Sequence, residues 1–178
     1  KRHTSEYEEE LEHYFSETFT GKNYQRYLKP DTVVKMPGLQ NLMPNVFSFS
    51  VEELKKAAKR LGGTPGLITF AAVMLAFAVC SGEKDLIGLM QYDNRDDLLS
   101  SNTFGLLARS LPVAVEFEKL HTVHDFIEDL KYKITQGMAY DCMEKLIGKD
   151  TPFEPECLTY VYEGELTGAG DFTQLGGE

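Results

Sequence analysis

Apolar residues recur along this chain in two periods, and the changes from one period to the other mark its elements. In residues 5–19, Leu11, Tyr14 and Phe15 fall at i, i+3 and i+4, while Glu8, Glu9 and Glu12 face water. The spacing predicts a helix, and its acidic first turn suits the positive end of the helix dipole. Residues 21–45 carry Pro30, Pro37 and Pro44 among scattered Gly and Asn, the texture of an extended connector. Alternation resumes in 46–50 (VFSFS), which predicts a short strand. Ser50 and Glu53 then have capping-box spacing at the start of a helix over 51–61. Leu54, Ala57, Ala58 and Leu61 form its apolar face, and Gly62-Gly63 ends it.

Thr64-Pro65 combines a capping side chain with proline at the first helical position, so a second helix starts there. Residues 66–80 (GLITFAAVMLAFAVC) are apolar all round and predict a core helix, the most buried of the fold. Its Ala71, Ala72, Ala76 and Ala78 allow neighbours to approach closely, and Ala72 is expected in the core. Ser81-Gly82 stops the helix. A mostly apolar strand follows at 85–93, a polar loop at 94–103 and a second strand at 106–117. Pro112 places at least part of that strand at a bulge or an edge. Thr122 opens a helix to about Met138, with Val123, Phe126, Ile127, Leu130 and Ile134 on one side. A shorter helix near 141–147 and a third strand at 157–163 complete the series. The order β-α-α-β-β-α-α-β predicts an α/β fold, a mixed sheet covered by helices.

Composition narrows the functional classes. The 178 residues suffice for one domain or one large lobe, and an apolar content of 42% excludes general disorder. Acids outnumber bases 28 to 18, for a net charge of −10, which disfavours nucleic acid and anionic membrane surfaces as partners. The apolar run 66–80 is shorter than the roughly 18–20 residues a bilayer requires. Cys80, Cys142 and Cys157 are widely separated and lack metal-ligand or disulfide-framework spacing, which fits reduced thiols in a cytoplasmic protein. Both ends of the chain read as positions within a longer sequence.

The residues assemble no catalytic centre by spacing alone. His121 and His124 lie at i and i+3 around a helix start, with Asp125 adjacent, and read more simply as an exposed cap than as metal ligands. Asp93, Asn94, Arg95, Asp96 and Asp97 lack the spacing of a calcium loop and the glycines of a phosphate loop; Arg95 among three carboxylates reads as an ion-pair hub. Gly63-Thr64-Pro65-Gly66 is a turn and cap. Cys142 has no histidine near it in sequence, and Ser100, Ser101 and Ser110 lack a nucleophile elbow.

Taken in order, several segments resemble the second lobe of nonribosomal peptide synthetase condensation domains, in the chloramphenicol-acetyltransferase-like superfamily. They are Glu12-His13-Tyr14-Phe15, the proline-bearing connector, Gly63-Thr64, the Ala-rich helix, Ser81-Gly82-Glu83-Lys84-Asp85, Asn94-Arg95 and the run 104–114. The resemblance divides the chain into a helix and inter-lobe connector, 1–45, and a partial second lobe, 46–178. It implies an acyltransferase that joins two carrier-bound acyl or aminoacyl thioesters through an amide bond. The substrates would be held on phosphopantetheine arms of carrier proteins, with no cofactor bound by the chain itself.

The resemblance assigns no catalytic residue to this chain. The family's His-His-x-x-x-Asp-Gly motif belongs to the first lobe, and no His-His pair occurs here. The first lobe would bring that motif to the interface, and this chain would form a wall of the tunnel. Arg95 takes the place of the family arginine that grips the motif's aspartate, a structural support. Asn94, Gly105, Arg109 and Ser110 are the tunnel-lining candidates. Arg109 and Ser110 stand where the family has Asn and Thr, Ala114 stands for its Arg, and 138–144 keeps mainly Glu144 of a later motif. Such divergence leaves two further readings, an ester-forming acyltransferase of the same superfamily and a non-catalytic module that docks carrier proteins. A lobe without its mate is also expected to expose an apolar surface.

Overall fold

The computed structural model describes residues 4–25, 50–92, 108–140, 142–146 and 158–162. Among the described residues three helices precede the first strand: α1 (Ser5–Phe19), α2 (Val51–Arg60) and α3 (Pro65–Ser81). Then come β1 (Asp85–Tyr92), β2 (Arg109–Glu116), a 3-10 turn at Phe117–Lys119, α4 (Val123–Ala139), α5 (Met143–Leu146) and β3 (Thr159–Val161). The predicted strand at 46–50 lies almost wholly outside the described residues, as do most of 141–147 beyond α5 and the ends of 157–163.

Local chemistry sets the helix ends where the sequence places them. Thr4, Ser50, Thr64 and Thr122 each turn a side-chain oxygen onto the N–H group three residues on, satisfying one of the donors a helix start leaves free. At Thr122 the exchange is mutual, because the Asp125 carboxylate accepts from the Thr122 N–H at 3.0 Å. Pro65 begins α3, and Gly82 ends it at φ 69°, a left-handed conformation that favours glycine.

The three strands order as β2-β1-β3, with β1 antiparallel to β2 and parallel to β3. The sheet is mixed, as predicted. Among the described residues β2 is an edge, the position in which Pro112 does not interrupt a ladder on both sides. In register, Asp85 faces Glu116 and Tyr92 faces Arg109; Leu89, Met90 and Gln91 face Thr159, Tyr160 and Val161. Gln25 adds an isolated parallel bridge to Leu86, its N–H donating to the Asp85 carbonyl at 2.7 Å. The start of the connector thus joins the sheet, and Tyr24 beside it is buried.

Each face of the sheet has its own core. On one, Phe70, Met74 and Phe77 of α3 and Phe126, Ile127 and Leu130 of α4 meet Leu86, Leu111, Val113 and Val115. On the other, Phe19, Tyr24, Cys142 and Leu146 meet Ile87 and Ala114. Gly88 permits the close approach of α3: a Cβ there would stand 2.9 Å from Met74 Sδ.

One prediction requires correction. Helix α3 is buried on one face and not on nearly all sides. Leu67, Phe70, Ala71, Met74 and Phe77 point inward, whereas Ala72, Leu75, Ala76, Val79 and Cys80 are exposed, Val79 at 75%. A helix that is apolar all round carries no periodicity to mark which side the sheet covers. Ala72 is therefore an outer residue and not a core one.

Candidate functional site

The C-terminal half of β1 presents a different chemistry from its buried start. Alternation sends Leu86, Met90 and Tyr92 to the α3 side and Ile87, Leu89 and Gln91 to the α1 side. From β2, Ala114, Pro112 and Ser110 share the α1 side with them in matched rows. The first row, Ile87 and Ala114, is covered by Phe19, Tyr24, Cys142 and Leu146. Two rows further on, Gln91 Nε2 donates to Ser110 Oγ at 2.5 Å, and both residues are half-buried. Beside them in β3, Thr159 and Val161 are exposed. Along this side of the sheet an aromatic core covers one end, Leu89 and Pro112 are buried in the middle row, and the polar pair stands at the other end.

Of the sequence candidates, the structure places Arg109 and Ser110 at the first two positions of β2, opposite Tyr92 and Gln91. Arg109 is exposed. Asn94, Arg95 and Gly105 lie outside the described residues, as do Asp93, Asp96 and Asp97. Gln91 escapes sequence reasoning. Its signal is a lone carboxamide late in an apolar strand, and it gains meaning only from the pairing register with Ser110.

On the opposite side of the sheet, Tyr160 of β3 hydrogen-bonds the Thr69 hydroxyl and donates to the Gly66 carbonyl at 3.2 Å. Burial pushes the Tyr160 phenol above its ordinary range, and the Thr69 hydrogen bond opposes that shift in part. Tyr162 lies over Gly66, where a Cβ would come within 2.9 Å of its ring. Between α2 and α3 a groove of about 510 Å³, lined by Leu54, Ala57, Ile68, Thr69, Ala72 and Val73 among others, is almost wholly apolar.

The histidine pair is a helix cap. Asp125 accepts from the Thr122 and His121 N–H groups, and both imidazoles are exposed. A hydrogen bond with the Thr122 hydroxyl foremost, and then those from the His121 and Thr122 N–H groups, hold the Asp125 carboxyl below its ordinary range. Cys142 is buried against Tyr14, whose phenol is pushed above its usual range, first by burial and then by Cys142. Among the described residues no group of His, Cys, Asp and Glu could hold a metal ion, and no histidine side chain hydrogen-bonds a serine, threonine or cysteine. No single described helix is long and apolar enough to cross a membrane; α2 and α3 would pass only as a pair, and they meet at 88°.

No protein-family model matches the sequence, and no curated protein matches it. Solved structures do. The first condensation domain of the calcium-dependent antibiotic synthetase, in complex with a substrate analogue, aligns over 89% of this chain with a TM-score of 0.61 at 16% identity. A second structure of that domain aligns over 89% with a TM-score of 0.60 at 15% identity. The condensation domain of the monacolin K polyketide synthase MokA gives 89%, 0.57 and 16%. The chain has the fold of part of a condensation domain.

The chain spans only 35% to 38% of those structures' lengths. Within the condensation-domain fold, the described site offers hydrogen bonds and a shaped apolar surface.

Proposed function

We propose that this chain is the second lobe of a condensation domain in a nonribosomal peptide synthetase or related assembly line, acting in a cytoplasmic setting. The observation that supports this is the likeness in fold to condensation domains of two different synthetic enzymes over 89% of the chain. The ordered motifs, from Glu12-His13-Tyr14-Phe15 to the run 104–114, support the same reading.

In this reading the first lobe supplies the His-His-x-x-x-Asp-Gly motif, and this chain forms a wall of the tunnel between two carrier proteins. Each carrier presents its thioester on a phosphopantetheine arm. The amine of one substrate attacks the thioester carbonyl of the other, a C–N bond forms, the C–S bond breaks, and the thiol leaves with the proton the amine has lost. The second motif histidine would assist the amine by taking that proton or by holding it in line. Arg95 would pair bidentately with the motif aspartate and so hold the catalytic loop against this lobe. Asn94, Gly105, Arg109 and Ser110 would line the tunnel. The test is turnover by the full-length protein on loaded carrier proteins, read as the mass of the carrier-bound product. An amide supports the reading, an ester favours another acyltransferase, and carrier binding without product favours a docking module.

A further inference from the structure

The outward face of α3 has two unlike halves. Ile68, Ala72, Leu75 and Val79 fall at i, i+4, i+7 and i+11, one apolar stripe along a helix about 25 Å long. Its N-terminal half is hollow: Ile68 and Ala72, with Leu54 and Ala57 of α2, line the groove of about 510 Å³. Its C-terminal half stands proud, with Leu75 45% and Val79 75% exposed and Ala76 exposed beside them.

Charge divides the face in the same way. Lys56 and Arg60 follow the groove residues Glu53 and Ala57 at i+3, and so flank the groove. Both are exposed, and among the described residues neither pairs with a carboxylate. Glu53 is the carboxylate on this margin, and the two cations outnumber it. Helix α3 itself holds no charged residue, and its last turn has no base to meet its carbonyl end. Glu83 and Asp85 follow that end, and Lys84 between them is paired with Glu118. A groove with a cationic margin therefore lies at one end of α3, and an apolar ridge with a negative end at the other. Such a surface fits a copy of itself turned end for end.

We propose that this face is a two-fold interface with a second copy of the chain, in which the α3 helices lie antiparallel and Leu75 and Val79 of each enter the other's groove. Ala72 and Ala76 let the helices approach closely at the crossing. Arg60 of one copy then stands by the partner's Asp85 and the carbonyl end of its α3. The contact takes from each copy about half of the roughly 20–30 residues of a standard interface. The dimer should therefore come apart at about micromolar concentration, where melting reports the monomer. The inference is independent of the condensation reading.

The experiment is sedimentation equilibrium of the 178-residue chain from micromolar to millimolar concentration. A reversible rise from the monomer mass to twice that mass, and no further, supports the interface. Val79→Glu carries an unpaired charge into the partner's groove and should weaken the dimer about 10-fold or more, with circular dichroism unchanged. Arg60→Asp should weaken it about 3- to 10-fold, and Asp85→Arg added to it should restore the affinity, a rescue that requires the two ends to meet. Should the double variant lose the wild-type circular dichroism, Val79→Glu and Arg60→Asp carry the comparison. A monomer at every concentration overturns the proposal and leaves the groove to a different partner. Mass that grows beyond the dimer, an undiminished dimer in folded Val79→Glu, or no rescue in a folded double variant overturns it as well.

Discussion

The hydroxyl of Tyr160 meets that of Thr69, joining β3 to the first turns of α3 across 91 positions of sequence. The Tyr160 ring also packs on Phe70 at 5.2 Å between centroids. Ring and hydroxyl separate by substitution. Tyr160→Phe keeps the packing and should cost about 1 kcal/mol, since Thr69 retains its bonds to the Pro65 and Gly66 carbonyls. Tyr160→Ala removes both and should cost about 3 kcal/mol. Urea unfolding of the two variants checks the ratio, and equal losses would mean that the ring contributes nothing.

Gly88 sits in β1 directly beneath α3. An alanine methyl there would stand 2.9 Å from Met74 Sδ and 3.5 Å from Phe70 Cε2, and both of those residues are fully buried. Gly88→Ala should therefore destabilise the fold by about 1–3 kcal/mol through overpacking. Gly82→Ala provides a contrast of another kind. It has open space around its Cβ position and a strained φ of 69°, so its cost should be backbone strain of about 1 kcal/mol. A further Met74→Ala change should recover part of the Gly88→Ala loss and none of the Gly82→Ala loss, relative to Met74→Ala alone.

The two faces of α3 predict opposite responses to charge. Ala71→Asp puts a carboxylate against the sheet and should cost several kcal/mol, on the order of 3–5. Ala72→Asp, one residue on, faces outward and should cost about 0.5 kcal/mol or less. Thermal melting of the pair decides the orientation of the helix. Equal large losses would return Ala72 to the core.

Glu116 gives stability a pH dependence of known sign. Its partial burial works to raise the carboxyl pKa, but hydrogen bonds from Lys119 at 2.8 Å and Lys22 at 3.2 Å prevail and lower it from 4.5. The contribution is fully present above the unfolded value and is lost as pH falls through the lower folded value. Lys22 follows α1, so the bond ties that helix to β2. Wild type and Glu116→Gln should differ in melting temperature near neutral pH and converge as pH falls through the lowered folded value. A constant gap across that range would deny the ion pair its role.

Much of this fold was legible because short-range chemistry writes helix ends. Thr64-Pro65, Ser81-Gly82 and Thr122 through Asp125 each carry their cap within a few residues, and the structure keeps them. Helix α3 shows where reading stops. Fifteen or so apolar residues specify a helix, but its exposed side depends on where the sheet lies, which is a property of distant residues. Tyr24 and Gln25 looked like connector for the same reason, since a single bridge to Leu86 leaves no periodic trace. At the candidate site, Ser110 was reached through resemblance alone. Gln91 was missed because its partner stands 19 positions away across a hairpin register.

The most direct test of the account sets the chain against the full-length protein. Both are supplied with one carrier loaded with an acyl thioester and another with an aminoacyl thioester, and the carriers are then weighed by mass spectrometry. The full-length protein should move the acyl group onto the amine, leaving an amide on the second carrier and a free thiol on the first. The 178-residue chain alone should give no product above buffer, because the acid–base histidine motif is not in its sequence. Amide formation by the chain alone, or none by the full-length protein with carriers it binds, would contradict the account.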